Sequence, residues 1–116
     1  MGSFTDPEHE LQPEDVRDRL TRGEVDLIDV REQYEWDAGR IPGARHIELE
    51  RLASRSGEIP GDRPVVFQCR IGARSAMATQ AFRAAGWDAY NLAGGITEWV
   101  RRGLPLDPED GKVASH

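Results

Sequence analysis

The chain has 116 residues with 15 Lys+Arg against 21 Asp+Glu, a net charge of −6, and one cysteine, so an internal disulfide framework and a cysteine-cluster metal site are excluded. Its length fits one domain burying roughly two thirds of the unfolded surface, and 38% hydrophobic with 31% charged residues is a globular composition. The acids crowd residues 1–50 while residues 51–106 are net basic, a balance that argues against general nucleic-acid binding and leaves room for a small anion held locally.

Residues 1–10 read as a loose, acidic tail without the basic start and apolar stretch of a secretory signal. Pro13-Glu14-Asp15 opens a helix running to about Leu20, with Gly23 closing it. Val25 to Val30 is an apolar run of the kind found in a buried strand. Gln33 to Ala38 is a short helix ended by Gly39, and the turn Ile41-Pro42-Gly43 leads to a short strand within 45–48. Pro64 to Gln68 is a second buried strand. The clearest helix spans Ala73 to Ala85, with Ala73, Ala76, Met77, Ala81, Ala84 and Ala85 on one stripe and Gly86 as the stop. A weaker strand covers Asp88 to Leu92, and a last helix runs from about Ile96 to Arg102 with Trp99 inward. Residues 107–116 read as a second loose tail, so the domain is residues 11–106. No apolar run approaches the roughly 18 residues of a membrane helix, no membrane partner is expected, and the cytoplasm is the expected location.

Strands alternating with helices predict an α/β domain with a mostly parallel sheet covered on both faces. In such a sheet, ligands bind beyond the carboxyl ends of the strands. Two segments lie there, Asp29-Val30-Arg31 and the loop Cys69-Arg70-Ile71-Gly72-Ala73-Arg74-Ser75. A loop between a buried strand and a helix start gathers backbone N–H groups, which favour an anion or a thiolate. Cys69 at its head is either a nucleophile, for which a thiolate is well suited, or a small buried hydrophobe. Arg70 and Arg74 offer planar multi-donor contacts to an oxyanion. Asp29 and Arg31 form an ion pair that supports the loop or is merely structural. Ser75 caps the helix or hydrogen-bonds the sulfur, the cap being the expected role. His46 is expected to be structural, Trp36 to line the rim of the pocket, Trp87 and Trp99 to anchor the core, and Gly94-Gly95 to shape a turn.

The Cys69–Ser75 loop resembles the active-site loop of the rhodanese family of sulfurtransferases. Leu27-Ile-Asp-Val-Arg31, Gly39-Arg-Ile-Pro-Gly-Ala44 and Leu92-Ala-Gly-Gly-Ile-Thr-Glu-Trp99 are similar to further family motifs in the family's order, with Gly103-Leu-Pro105 as the usual close. Arg40 departs from this pattern, standing where the family often has His. The resemblance implies a rhodanese-like fold, a central five-stranded parallel sheet with helices on both faces. It also implies a two-step exchange without cofactor or metal. Cys69 takes a sulfane sulfur from a small anionic donor such as thiosulfate, held by Arg70 and Arg74, as a persulfide cradled by the N–H groups of residues 70–75. Cyanide or a thiol then accepts the sulfur. Alternatives are a relay module that passes the persulfide to a protein acceptor, and arsenate or phosphate-ester chemistry. Related phosphatases carry a loop one residue longer, with Arg six positions after the Cys, whereas Arg74 lies five after Cys69. A non-catalytic interaction domain would commonly lack the cysteine.

Overall fold

The computed structural model describes residues 6–116, so the part of the expected N-terminal tail in residues 1–5 lies outside the described residues. Nine elements carry the fold: β1 (Glu10–Leu11), α1 (Pro13–Thr21), β2 (Asp26–Asp29), α2 (Gln33–Ala38), β3 (Arg45–His46), β4 (Val65–Gln68), α3 (Ala73–Ala84), β5 (Ala89–Leu92) and α4 (Gly95–Arg101). The strands form one sheet in the order β1-β5-β4-β2-β3, and every pairing is parallel. This is the expected five-stranded α/β architecture. The strand that sequence reading missed is β1, which pairs Glu10 with Asn91 and Leu11 with Leu92. Two residues are too few to show a strand period, so only the edge of β5 makes them a strand.

The central strands are apolar because both faces are covered. All of Val65–Gln68 is buried. One face carries Ile28, Val30, Val65, Phe67 and Ala89 against Ala78 and Phe82 of α3, with the Phe67 and Phe82 rings 4.8 Å apart edge to face. The other carries Leu27, Val66 and Leu92 against Val16 of α1 and Ile96 and Trp99 of α4. The Trp99 indole donates to the Pro105 carbonyl at 2.7 Å, which seats the chain after α4.

Two expectations differ from the structure. The face of α3 turned to the sheet is Ser75, Ala76, Ala78, Thr79 and Phe82, while Met77 is 62% exposed. Alanines lie on both its buried and its exposed side, Ala76 and Ala78 buried and Ala81 and Ala84 exposed, so counting them cannot choose a face. Phe82 and two hydrogen-bonded hydroxyls decide it, Thr79 donating to the Ser75 carbonyl at 2.8 Å.

Residues 107–116, expected as a loose tail, run back along α2. Arg40 and Asp107 exchange backbone hydrogen bonds, the Lys112 N–H donates to Ala38, and the Tyr34 hydroxyl donates to Ser115. Val113 packs against the core. Gly39 permits this approach, since a Cβ there would stand 2.6 Å from the Lys112 carbonyl oxygen. No described helix is long and apolar enough to cross a membrane.

Candidate active site

Parallel strands send all their carboxyl ends to one edge, and the end of β4 delivers Cys69 there. The chain then turns through Gly72, whose φ of +106° is left-handed and suits glycine, into α3. The turn aims donors inward. The Gly72 N–H lies 3.2 Å from the Cys69 sulfur, the Ser75 N–H 3.4 Å and the Ser75 hydroxyl 3.3 Å. Cys69 itself is 1% exposed. The Ser75 hydroxyl thus faces the sulfur. The expected capping role is not observed, since Gly72 occupies the N-cap position without a side-chain cap. Three donors in place before any charge forms are an arrangement suited to an anionic sulfur.

The loop is held from three sides. From α4, the Ile96 and Thr97 N–H groups donate to the carbonyls of Cys69 and Arg70 at 2.9 and 3.0 Å. Gly94 and Gly95 shape this turn with φ of +74° and +64°, and a Cβ on Gly95 would lie 2.5 Å from both carbonyl oxygens. From β5, the buried Asn91 amide donates to the Gly72 carbonyl at 3.2 Å and to Glu10 at 2.8 Å. Burial raises the Glu10 carboxyl above its ordinary value, against the Asn91 bond that lowers it.

From α2 comes Glu35, wholly buried, which accepts Arg74 Nη1 at 2.8 Å on one oxygen and Nη2 at 3.0 Å on the other. Glu35 also closes the capping box of α2 with Glu32. Burial opposes the Glu35 charge, but the Arg74 guanidinium and the Glu32 N–H outweigh it and hold the carboxyl below the usual carboxylate range. Sequence reasoning named Arg74 and missed Glu35. The capping-box spacing of Glu32 and Glu35 was its one visible signal.

The remaining sequence-predicted residues divide. Ile71 follows Arg70 in the loop and is 47% exposed. Ala73 opens α3 and Arg70 is half-buried at the head of the loop, its Nε buried without a partner. Asp29 and Arg31 make a fully buried pair at 2.8 Å, and Arg31 also donates to the Gly39 carbonyl. Among the described residues this pair makes no hydrogen bond to residues 69–75; it ties β2 to the end of α2. His46 Nε2 donates to the Arg31 carbonyl at 2.7 Å and the ring stacks on Trp36, 4.9 Å between rings. Trp36 therefore braces His46 and lies outside the cavity rim it was expected to line. Arg40 stacks over Trp36 at 5.2 Å.

Beside the loop lies a cavity of about 300 Å3 lined by Val30, Glu32, Glu48, Leu49, Glu50, Arg74 and His116. A larger one, about 480 Å3, opens at the amino ends of the strands between Arg63-Pro64 and Trp87-Asp88, on the edge opposite Cys69. Glu32, Glu35 and His116 approach one another closely enough to suggest a metal trio. Both Glu35 oxygens already serve the Arg74 cation, so a metal there would meet a positive charge of the chain's own.

The model of the Rhodanese-like domain family matches residues 12–102. The chain belongs to this family. A sulfurtransferase from Allochromatium vinosum is 39% identical over 105 residues, covering 89% of this chain and 98% of that protein. The human thiosulfate:glutathione sulfurtransferase is 36% identical over 103 residues, covering 76% and 90%. An HTH-type transcriptional regulator of Mycobacterium tuberculosis, Rv0324, is 42% identical over 113 residues; the match covers 95% of this chain and 49% of that protein, so the chain spans about half of its length. Among solved structures, a rhodanese-related protein from Thermoplasma volcanium aligns with a TM-score of 0.78 at 24% identity, covering 84% of this chain and 96% of that one, a likeness of fold. The rhodanese-like fold and the sulfurtransferase family are thereby established for this domain.

Proposed function

We propose that this rhodanese-like domain moves a sulfane sulfur from thiosulfate through a Cys69 persulfide to cyanide or a thiol. The observation that carries the reading is the set of three donors around the Cys69 sulfur. The Cys69 thiolate attacks the outer sulfur of thiosulfate, that sulfur's bond to the sulfonate sulfur breaks, and sulfite leaves with the electron pair. Cyanide or a thiolate then attacks the terminal sulfur and the pair returns to Cys69. Arg70 meets the donor's oxyanion, and the N–H groups of Gly72 and Ser75 hold the charge on sulfur. Arg74, bound to Glu35 on both forks, serves first to position the loop and only secondarily to draw the donor. The name of the human relative supports thiosulfate as the donor class. A single thiol that must stay reduced suits the cytoplasm.

The decisive experiment is intact-protein mass spectrometry after incubation with thiosulfate alone. The expected result is a gain of one sulfur atom, removed by cyanide and absent in Cys69→Ser. No gain overturns the reading. A second reading, delivery of the persulfide to a protein acceptor, is favoured by Ile71 standing exposed at the tip of the loop. Phosphate-ester or arsenate chemistry is disfavoured because Arg74, which such a tetrahedral anion would need, is engaged by Glu35.

A further inference from the structure

We infer that the cavity beside Cys69 seats the sulfur acceptor and selects small thiols that carry an ammonium group; the inference rests on the persulfide reading of Cys69. Two lining residues link the cavity to the surroundings of the nucleophile, Val30 at the end of β2 and Arg74 of the loop. The Val30 N–H bonds to the Gln68 carbonyl at 3.0 Å, which sets Val30 beside Cys69 as β2 and β4 leave the sheet, and the two belong to one apolar cluster. Leu49, whose N–H bonds to the Val30 carbonyl, extends that floor, and Arg74 of the loop makes a wall. At about 300 Å3 the space is at the small end of the roughly 300–1,000 Å3 range of ligand pockets, so it suits a small molecule.

Its charge excludes one kind of thiol and favours another. The lining brings three carboxylates, Glu32, Glu48 and Glu50, against two basic groups, Arg74 and His116. Arg74 is neutralised by Glu35 through two hydrogen bonds. The His116 ring is 2.8 Å from Glu32. Glu48 reaches only the solvent-exposed Arg51, at 3.6 Å, and Glu50 has no hydrogen-bond or ion-pair partner among the described residues. The surplus is negative. An ammonium group placed against Glu48 and Glu50 leaves a short thiol arm to reach across Val30 toward the persulfide, while a carboxylate on the same arm meets repulsion. In the transfer the acceptor thiolate attacks the terminal sulfur, the bond to the Cys69 sulfur breaks, its electron pair stays on Cys69, and the acceptor departs as a persulfide. The acceptor's proton has gone to water.

The test begins with protein loaded by thiosulfate, desalted, and checked for its added sulfur by intact mass. It is then mixed with cysteamine, 2-mercaptoethanol or mercaptoacetate at equal thiolate concentration, and loss of the added sulfur is timed. Comparing wild type with Glu48→Gln/Glu50→Gln cancels the intrinsic reactivity differences among the thiols. The expected result is a cysteamine-to-mercaptoacetate rate ratio that falls about tenfold in the double variant, and that shrinks similarly for wild type when salt is raised to about 0.5 M. The single Glu50→Gln, at an exposed side chain, gives a smaller fall and guards against misfolding of the double variant. A ratio unmoved by both variants overturns the acceptor assignment while leaving the persulfide reading intact. Failure to load sulfur at all overturns both.

Discussion

Glu35 and Arg74, 39 positions apart in the chain, face each other through two parallel hydrogen bonds of 2.8 and 3.0 Å. The pair clamps the first turn of α3, which carries Ser75, to α2, and its two ends are unequally protected. The Glu35 side chain is 0% exposed and that of Arg74 is 19%. Removing the cation should therefore do more harm than removing the anion, because it strands a carboxylate that no water reaches. Arg74→Gln is expected to lower stability by about 3–5 kcal/mol, and Glu35→Gln by about 2 kcal/mol, since the freed guanidinium turns partly to solvent. Urea unfolding of both variants checks the order; equal losses would show that burial does not set it.

The same pair gives stability a pH dependence of known sign. Glu35 is held below its ordinary value of 4.5, so it binds fewer protons folded than unfolded. Its contribution is fully present above that pH and drains away as pH falls through the lowered value. Glu10 is shifted upward by burial, so ionising it opposes folding, and that penalty grows as pH rises past 4.5. Thermal unfolding from pH 3 to 7 is expected to show the Glu35→Gln deficit shrinking toward acid. Glu10→Gln, which keeps an acceptor oxygen for Asn91, should match or exceed the wild-type midpoint at pH 7. A Glu35→Gln deficit independent of pH contradicts the assignment.

Ser75 presents a hydroxyl and an N–H to one sulfur atom. Ser75→Ala removes the hydroxyl and keeps the N–H, so the cradle loses one donor of three. Sulfur is a weak acceptor, and the expected loss is about tenfold in the rate of sulfur uptake from thiosulfate, below the span for a full oxyanion donor. Stability should change by about 1 kcal/mol. Rapid-quench mass spectrometry reads the rate, and an uptake rate equal to wild type removes Ser75 from the chemistry.

Much of this was legible in the residues and some was not, for identifiable reasons. Buried central strands announce themselves as Val25–Val30 and Pro64–Gln68, and a cysteine before a glycine-bearing loop and a helix is visible as a site. Glu35 was hidden because a lone glutamate in a charged helix looks solvated until a distant arginine is brought to it. The packed face of α3 was hidden because its centre is Ser75, Thr79 and Phe82, while alanines occur on the exposed side as well as the buried one. The docking of residues 107–116 depends on Gly39 and on backbone bonds to Ala38 and Arg40, which polar side chains in the segment do not advertise. Ser75 was ambiguous because the same hydroxyl serves a cap or a sulfur, and only the loop's curvature chooses.

Gly95 offers the sharpest test of how the loop is seated, because glycine serves there in two ways. Its φ of +64° is left-handed, and an added Cβ would stand 2.5 Å from the carbonyl oxygens of Cys69 and Arg70, the backbone on which the nucleophile rests. Gly86 separates the two effects: its φ is +95°, but a Cβ there meets nothing within 4 Å. Gly86→Ala should therefore cost about 1–2 kcal/mol of backbone strain and leave sulfur uptake intact. Gly95→Ala should add overpacking to that strain, for a loss of about 3 kcal/mol or more, and push Cys69 away from its donors. A displacement of that kind is expected to slow sulfur uptake on the order of a hundredfold at temperatures where the protein remains folded. Circular dichroism fixes those temperatures and timed mass spectrometry gives the rates. A Gly95→Ala protein that is folded and takes up sulfur as fast as Gly86→Ala would show that α4 does not seat the loop.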